Sequence, residues 1–473
     1  MKILYVASEA APFIKTGGLA DVAGSLPKAI KELGHDIRVV LPLHSTIKQE
    51  YKDKMKKVHE YYVDLNWRRQ YVGVMELVHD GVTFYFLDNE YYFDRAKVYG
   101  EMDDGERYAY FSKAVTILPK EIKFKPKVIH TNDWHSALVN LFIYEFNKGD
   151  SYYDNIKKIF TIHNLKYQGV FPPSVLGEVM GVSNEYFNDS SIKFFDNINF
   201  MKAGIVYSDV ITTVSQSYAD EIKYGFFGEG LEGILAYHSQ KLVGIVNGID
   251  YEVWNPKIDT HIAYNYDEKS LKTKLRNKKA IQNKYDLPDN KEIPLIAMIS
   301  RFSDMKGLDL VAHIMDELLQ ENIQFVVLGT GEAEFENMFK HFEWKYPDKV
   351  AANIYFSEDD AHLIYAGADI FLMPSMIEPC GLSQLISLKY GTIPVVREVG
   401  GLKDTIIPYN QYTHEGNGFS FRNYNAHELL YQIKEALNIY TTDEKAWESM
   451  MVRAMKADHS WKASSKEYLK IYK

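Results

Sequence analysis

The chain has 473 residues, 46% of them apolar and 25% charged. That is the composition of folded domains of roughly 200 residues each, and it excludes disorder, collagen-like repeats and a dominant coiled coil. Lys and Arg number 54 against 64 Asp and Glu, a formal net charge of −10, which argues against broad binding to nucleic acid or to an anionic membrane but leaves room for a local cluster of cations. The one cysteine, Cys380, excludes an intramolecular disulfide and a cysteine-based zinc site and fits a reducing compartment. The apolar start is too short for a signal peptide and is interrupted at Glu9, and no run of about 18 apolar residues follows. A soluble, cytoplasmic protein is expected.

In chain order the first half reads as strand, loop and helix, repeated. Ile3–Ala7 is an apolar run of strand type. After Gly17-Gly18, the residues Leu19, Val22, Ala23, Leu26, Ala29, Ile30 and Leu33 recur at helical spacing. Pro27 inside that pattern predicts a kink or a locally broken turn, and Gly34 ends it. Further strands are expected at Ile37–Leu41, Val72–Val78, Val82–Leu87, Lys127–His130, Ile159–Ile162 and Asp209–Val214. The rhythm then restarts. Strands are expected at Leu242–Val246, Ile293–Ile299, Gln324–Leu328, Ile354–Phe356, Ile370–Met373 and Ile393–Val396, and helices at Leu308–Leu319, Ala361–Gly367 and Gly381–Tyr390. A polar, Lys-rich segment occupies about Asp267 to Lys291. The fold class is α/β, two doubly wound domains facing each other, with the boundary near residue 245.

Several strands end in polar residues, and in open parallel sheets ligands bind beyond the carboxyl ends of the strands. Lys15-Thr16-Gly17-Gly18-Leu19-Ala20-Asp21 joins the first strand to its helix, so free amides, close backbone approach and one cation suit an anion; the plainer alternative is a tight turn with a surface lysine. The string is neither a dinucleotide fingerprint nor a P-loop, since the spacing of Gly and Lys is wrong for both. Arg301 and Lys306 bracket the loop after another strand, where a guanidinium and an ammonium at a helix start form a diphosphate clamp or, more plainly, two solvated cations. Glu378, before Pro379-Cys380-Gly381-Leu382, offers a carboxylate to sugar hydroxyls or caps the next helix. Cys380 beside it reads as a small buried hydrophobe rather than a nucleophile. His130, His135 and His163 also lie at polar strand ends, and His163-Asn164 is a plausible substrate contact. Their spacing is not that of a zinc site. Asp103-Asp104 and Asp359-Asp360 are expected to be solvated turns rather than metal ligands.

Together these strings resemble the bacterial glycogen synthase and plant starch synthase family. The matching segments are Ser8-Glu9-Ala10-Ala11-Pro12, Lys15–Asp21, Asn132-Asp133-Trp134-His135, Thr161-Ile162-His163-Asn164, Tyr167-Gln168-Gly169, Gly230-Leu231-Glu232, Asn247-Gly248-Ile249-Asp250, Ser300-Arg301 with Lys306-Gly307, Glu378–Leu382 and Gly400-Gly401-Leu402. The likeness runs from residue 1 to the Ser460-Trp461 region. It implies the GT-B architecture: a Rossmann-like acceptor-side domain over 1–245, a nucleotide-sugar domain over 246–455 and a last helix within 456–473 that returns to the first domain, with the active site in the cleft between the domains.

The resemblance further implies a hexosyltransferase that moves glucose from ADP-glucose, with UDP-glucose possible, to the non-reducing end of an α-1,4-glucan with retention. No metal or other cofactor, nucleic acid or membrane is implied. Arg301 and Lys306 would hold the diphosphate, helped by the Gly18 amide, with Lys15 near the same charge or the glucan. Glu378, His163 and Asn164 would contact the donor glucose, and Cys380, Gly381 and Leu382 would approach its hydroxyls. Asp21 and Asp133 would stand at the cleft, Asn247 would join the substrate contacts, and Phe356 would stack on the base. A front-face substitution, with the departing phosphate taking the acceptor proton, is the implied mechanism.

Three departures stand out: Leu43-His44-Ser45 and Phe93, where the family is more often tyrosine-containing, and Ile386, which leaves the paired-glutamate motif of other GT-B enzymes incomplete. The rivals are a nucleotide-sugar 2-epimerase of the same fold and a non-catalytic glucan-binding protein. A phosphorylase is excluded by length.

Overall fold

Runs such as Ile3–Val6 and Val39–Leu41 are buried along their whole length, as strands covered on both faces must be, and they pair side by side in parallel. A computed structural model describes residues 1–473. They divide into two units, residues 1–245 with 461–473, and residues 246–460.

The first unit carries β1 (Lys2–Val6), β2 (Asp36–Pro42), β3 (Lys56–Leu65), β4 (Arg68–His79), β5 (Val82–Asp88), β6 (Val128–Asn132) and β7 (Lys157–Ile162). The short β8 (Val170–Phe171), β9 (Lys193–Phe194) and β10 (Asn197–Asn199) make a small separate sheet, and β11 (Val210–Thr213) and β12 (Leu242–Gly244) complete the main one. The main sheet runs β12-β11-β7-β6-β1-β2-β5-β4-β3. It is parallel except that β4 runs against both β3 and β5. The second unit carries β13 (Leu295–Ile299), β14 (Gln324–Leu328), β15 (Val350–Asn353), β16 (Ile370–Met373), β17 (Ile393–Arg397) and β18 (Phe419–Phe421). These run β15-β14-β13-β16-β17-β18, all parallel.

Four local expectations change. Pro27 does not break the helix, which runs unbroken over Gly18–Glu32 with Leu26, Ala29 and Ile30 in the core. Ile354–Phe356 is not a strand: the strand is Val350–Asn353, and the next three residues turn toward the helix Glu358–Gly367. The Lys-rich segment contains a helix, Lys274–Lys284, whose inner face is polar. There Lys274 Nζ donates to the carbonyls of Tyr365 and Ala366 and to Thr392 Oγ1, while Lys278 pairs with Asp369 at 2.7 Å. In each acidic pair the second member is not solvated, while Asp359 is exposed and Asp103 half-buried. Asp104 is buried against fully buried Arg107, and Asp360 is buried against Lys284, Tyr285 and Tyr355.

The helix Trp461–Tyr472 belongs to the first unit, and the preceding helix, Glu444–Lys456, to the second. Trp461, Tyr468 and Tyr472 join the core formed by β1, β2 and the helix Gly18–Glu32. Tyr472 OH and His130 Nδ1 are 2.7 Å apart beneath the sheet. Truncating a buried indole removes its apolar contacts and leaves a cavity, so Trp461→Ala is expected to cost about 3–5 kcal/mol of stability. A urea midpoint unchanged from the parent chain would show that this helix is not part of the cooperative core.

Candidate functional site

In the first unit β1 pairs with β2 on one side and β6 on the other, so the order reverses beside β1 and the loops after β1, β6 and β7 leave the same end of the sheet. A crevice at such a point is where open α/β sheets take ligands. Glu9, just past β1, is 3% exposed. Its Oε2 accepts hydrogen bonds from the Thr16 amide at 2.5 Å and the Thr16 hydroxyl at 2.6 Å, which folds Lys15–Gly18 back over the strand end. Burial raises the Glu9 carboxyl above its ordinary range. The helix starting at Gly18 has no side-chain cap, so its first amides are open to an anion. Lys15 is exposed and reaches Asp21 Oδ1 at 2.7 Å.

Past β6, Asn132 is locked by its neighbours. Its Nδ2 donates to the Val6 carbonyl at 2.9 Å and its Oδ1 accepts from Tyr5 OH at 3.0 Å. The contact of 2.9 Å between that oxygen and His163 Nε2 therefore places the His163 proton on Nε2 and leaves Nδ1 as an acceptor. Burial pushes the His163 imidazole down to about 3, so it is neutral at physiological pH. Asp133 sits at φ 52°, a left-handed conformation that a non-glycine residue adopts at a cost. Its Oδ1 accepts the His163 amide at 2.8 Å, and burial pushes its carboxyl up to about 7. Asn164 Oδ1 accepts the Lys166 amide at 3.0 Å in a local turn. His44 is a core residue whose Nε2 donates to the Ser8 carbonyl at 2.9 Å, with Phe93 packed edge-on against it, which accounts for two of the departures noted in the sequence.

In the second unit the order reverses between β13 and β16. The loop after β13 carries Arg301 and Lys306, and the loop after β16 carries Ser375 and Glu378. Gly307, at φ 70°, lets them approach, because a Cβ there would lie 2.1 Å from the Pro374 carbonyl oxygen. The Met376 amide donates to the Met305 carbonyl at 2.8 Å. Across this junction Lys306 Nζ reaches Glu378 Oε2 at 2.7 Å, and Ser375 Oγ donates to the same oxygen at 2.9 Å. Glu378 is 7% exposed and caps no helix; its Oε1 makes no hydrogen bond within the chain. Arg301 is exposed and its guanidinium has no partner. Arg397 Nη1 donates to the Met376 carbonyl at 2.8 Å and fastens the turn before Glu378.

Gly400 and Gly401 press against Glu378 and Cys380; a Cβ on Gly401 would lie 2.0 Å from the Cys380 carbonyl oxygen, and the Gly401 amide donates to Glu378 at 3.1 Å. Cys380 is buried, its thiol pushed up to about 12 by desolvation. That removes it as a nucleophile. Asn247 lies against the Cys380 sulfur, and its Oδ1 is buried without a partner, an acceptor suited to a ligand hydroxyl. Gly381 turns the chain at φ 73° into Leu382, which starts the helix Ser383–Lys389. Ile386 is a core residue of that helix. Phe356 is 85% exposed and packs on no other ring.

Of the residues expected from sequence, Lys15, Gly18 and Asp21 gather at the first strand end and Asp133, His163 and Asn164 beside them. Arg301, Lys306 and Glu378 meet at the second unit's reversal, with Asn247, Cys380, Gly381 and Leu382 around Glu378. Phe356 stands at the end of β15. Sequence reasoning did not single out Glu9, Ser375 or Arg397 as functional, although Glu9 directly after a strand and Ser375 three residues before Glu378 carry the position signal that found their neighbours. No three or more His, Cys, Asp or Glu side chains are grouped to hold a metal ion.

Comparison with known proteins gives the same division. A family model described as the starch synthase catalytic domain matches residues 2–237, and one described as glycosyl transferases group 1 matches residues 277–449. A glycogen synthase of Finegoldia magna is 53% identical over 473 residues, covering all of this chain and 99% of its own. The chain belongs to the glycogen and starch synthase family. A glycogen synthase of Clostridium novyi is 51% identical over 473 residues, with 100% and 98% coverage. The solved catalytic domain of starch synthase IV from Arabidopsis thaliana, bound to ADP and acarbose, superimposes with a TM-score of 0.90 at 31% identity, covering 99% of this chain and 98% of that one. The chain is therefore a glycosyltransferase with two Rossmann-like domains of the GT-B class, and none of its helices is long and apolar enough to cross a membrane.

Two measurements test this electrostatic description. Native protein at pH 8 should react with iodoacetamide far more slowly than the urea-unfolded chain, and equal rates would contradict a buried, protonated Cys380. Asp133 is raised from 3.8 to about 7, so the folded state holds its proton more tightly than the unfolded one. Its contribution to stability is then complete below about pH 3.8 and is lost as the pH rises to about 7. Asp133→Asn should abolish that fall, and parallel urea-stability profiles of parent and variant between pH 4 and 7 would refute it.

Proposed function

We propose that the chain transfers glucose from ADP-glucose, with UDP-glucose as the poorer donor, to the non-reducing end of an α-1,4-glucan, with retention at the anomeric carbon. The observation that carries the reading is the Lys306–Glu378 pair at the second unit's strand reversal, with unpaired Arg301 on the same loop. An ammonium has three protons, so Lys306 can keep Glu378 and still meet a phosphate oxygen. Arg301 adds the forked donor geometry that phosphate takes best. The open Oε1 of Glu378 accepts a hydroxyl of the donor glucose, and Asn247 Oδ1 offers a second acceptor. Backbone at Cys380, Gly381 and Leu382 lines the sugar, and the exposed ring of Phe356 stacks on the base.

The first unit supplies the rest. The Gly18 amide and Lys15 add positive potential for the diphosphate, with Asp21 orienting Lys15. Neutral His163 offers Nδ1 to a hydroxyl of the donor glucose, Asn164 contacts the same sugar, and Asp133 stands nearer the acceptor side. As the bond from the anomeric carbon to the diphosphate breaks, the carbon becomes oxocarbenium-like and the departing charge falls on groups already aimed at it. Glu378 is held by Lys306 and Ser375 and is not placed here as a covalent nucleophile. The acceptor hydroxyl attacks from the leaving-group side and gives its proton to the departing phosphate. The ADP in the Arabidopsis relative's structure supports the choice of base.

Initial rates with ADP-glucose and UDP-glucose, each with and without glycogen, test the proposal. Nucleotide release is expected to require glycogen, to lengthen α-1,4 chains and to be faster with ADP-glucose. Release that ignores glycogen would point to hydrolysis or epimerisation instead. Lys306→Ala and Arg301→Ala are each expected to lower kcat by roughly 10²–10³-fold, the range for removing one preorganised donor to developing charge. A loss confined to the KM for glycogen would contradict these roles.

A further inference from the structure

The ring given to the donor's base, Phe356, is 85% exposed, follows the end of β15 and packs on no other ring. Its own contacts therefore do not fix its direction. A ring that must meet a flat partner gains affinity when it is aimed beforehand, because ordering it during binding costs free energy. The residues on either side of it carry that task.

Tyr355 OH donates to Asp360 Oδ2 at 2.5 Å. Ser357 Oγ accepts the Asp360 amide at 3.1 Å and so caps the helix Glu358–Gly367. Both neighbours of Phe356 thus end on one residue, at its carboxylate on one side and at its amide on the other. Ser357 is extended, at φ −150° and ψ 119°, and side chains along extended backbone alternate in direction. With Tyr355 and Ser357 both turned toward Asp360, Phe356 is turned away from it.

Asp360 is itself held firmly. It is 5% exposed, and its carboxylate also receives Lys284 Nζ and, at 3.0 Å, Tyr285 OH. Burial alone would raise this carboxyl; the three donors outweigh burial and keep it below its ordinary range. Lys284 closes the helix Lys274–Lys284, which lies close against Glu358–Gly367: a Cβ on Gly367 would come 2.7 Å from the Asn277 carbonyl oxygen. The short segment bearing Phe356 is therefore tied to two packed helices. We propose that Asp360 is a positioning residue for the nucleotide: by clamping Tyr355 and Ser357 it aims Phe356 at the base of the donor. This rests on the stacking role assigned to Phe356 above. An adenine offers the ring a larger face than a uracil does, so the clamp also favours ADP-glucose over UDP-glucose.

Equilibrium titration with ADP reads the clamp without turnover. Phe356→Ala is expected to weaken ADP roughly tenfold, within the range for losing one base–aromatic stack. Tyr355→Phe keeps the ring and loses only the hydroxyl that reaches Asp360, and ADP is expected to weaken roughly threefold, as for one lost hydrogen bond. Asp360→Asn, of the same shape, should shift affinity in the same direction. The double variant Phe356→Ala/Tyr355→Phe should bind ADP no more weakly than Phe356→Ala alone, because the clamp acts through the ring. In steady state Tyr355→Phe should narrow the preference for ADP-glucose over UDP-glucose and leave the KM for glycogen unchanged. Parental ADP affinity in Tyr355→Phe, with or without a lower urea midpoint, would leave only a structural tie and overturn the proposal. Additive losses in the double variant would overturn it too. An unchanged affinity in Phe356→Ala removes the stacking role and the clamp with it. A parent that binds ADP but transfers no glucose sinks the reaction assigned above, while these affinities still decide the clamp.

Discussion

The ion pair between Lys306 and Glu378 fastens together the two loops that flank the reversal of strand order in the second unit. A carboxylate so nearly buried is costly unless its charge is answered, and here one oxygen is answered twice, by an ammonium and by the Ser375 hydroxyl. The backbone follows from this requirement. Gly307 lets the loops touch, the Met376–Met305 bond aligns them, and Arg397 braces the turn from behind. The result is a negative group with one oxygen spoken for and one open, set beside cations with capacity left over.

The first unit reaches a comparable arrangement by other means. Two of its carboxylates, buried Glu9 and half-buried Asp133, are answered by amides rather than cations: Thr16 for one and His163 for the other. Amides stabilise a carboxylate less than an ammonium does, and both acids rise from their ordinary values. Beside them stand an open helix start and the Lys15–Asp21 pair. Asn132 adds a directional element, since its two fixed bonds decide which nitrogen of His163 carries hydrogen. At these strand ends the acids are thus answered differently, by charge at Glu378 and by backbone dipoles at Glu9 and Asp133.

How much of this was legible in the sequence depends on whether a buried face is apolar. Strands such as Gln324–Leu328 and Ile370–Met373 were read at their observed limits because continuous apolar runs announce strands covered on both sides. β3 went unread because only Tyr61, Val63 and Leu65 of its ten residues alternate inward at its far end. The helix Lys274–Lys284 was hidden for a deeper reason. Its buried positions, Lys274, Asn277, Lys278, Ile281 and Gln282, do keep helical spacing, but four of the five are polar and find their partners only in the folded chain. The site followed the same logic. Residues in the loops past strand ends were found, whereas Arg397, inside β17, matters through the Met376 carbonyl that it touches. Phe356 was placed in a strand because its apolar run continues past the point where hydrogen bonding to β14 stops.

The discontinuity of the first unit bears on how the chain is made. Its last helix is encoded after the whole of the second unit, so a ribosome delivers residues 1–245 with the ground that Trp461, Tyr468 and Tyr472 will cover still bare. The second unit, being one continuous stretch, can close as soon as residue 460 has emerged. Domains usually mature from the N-terminus during synthesis; here the order of completion is inverted, and the part made first is finished last. Until then the nascent first unit offers apolar surface beside β1 and the helix Gly18–Glu32, the kind of surface on which chaperones act.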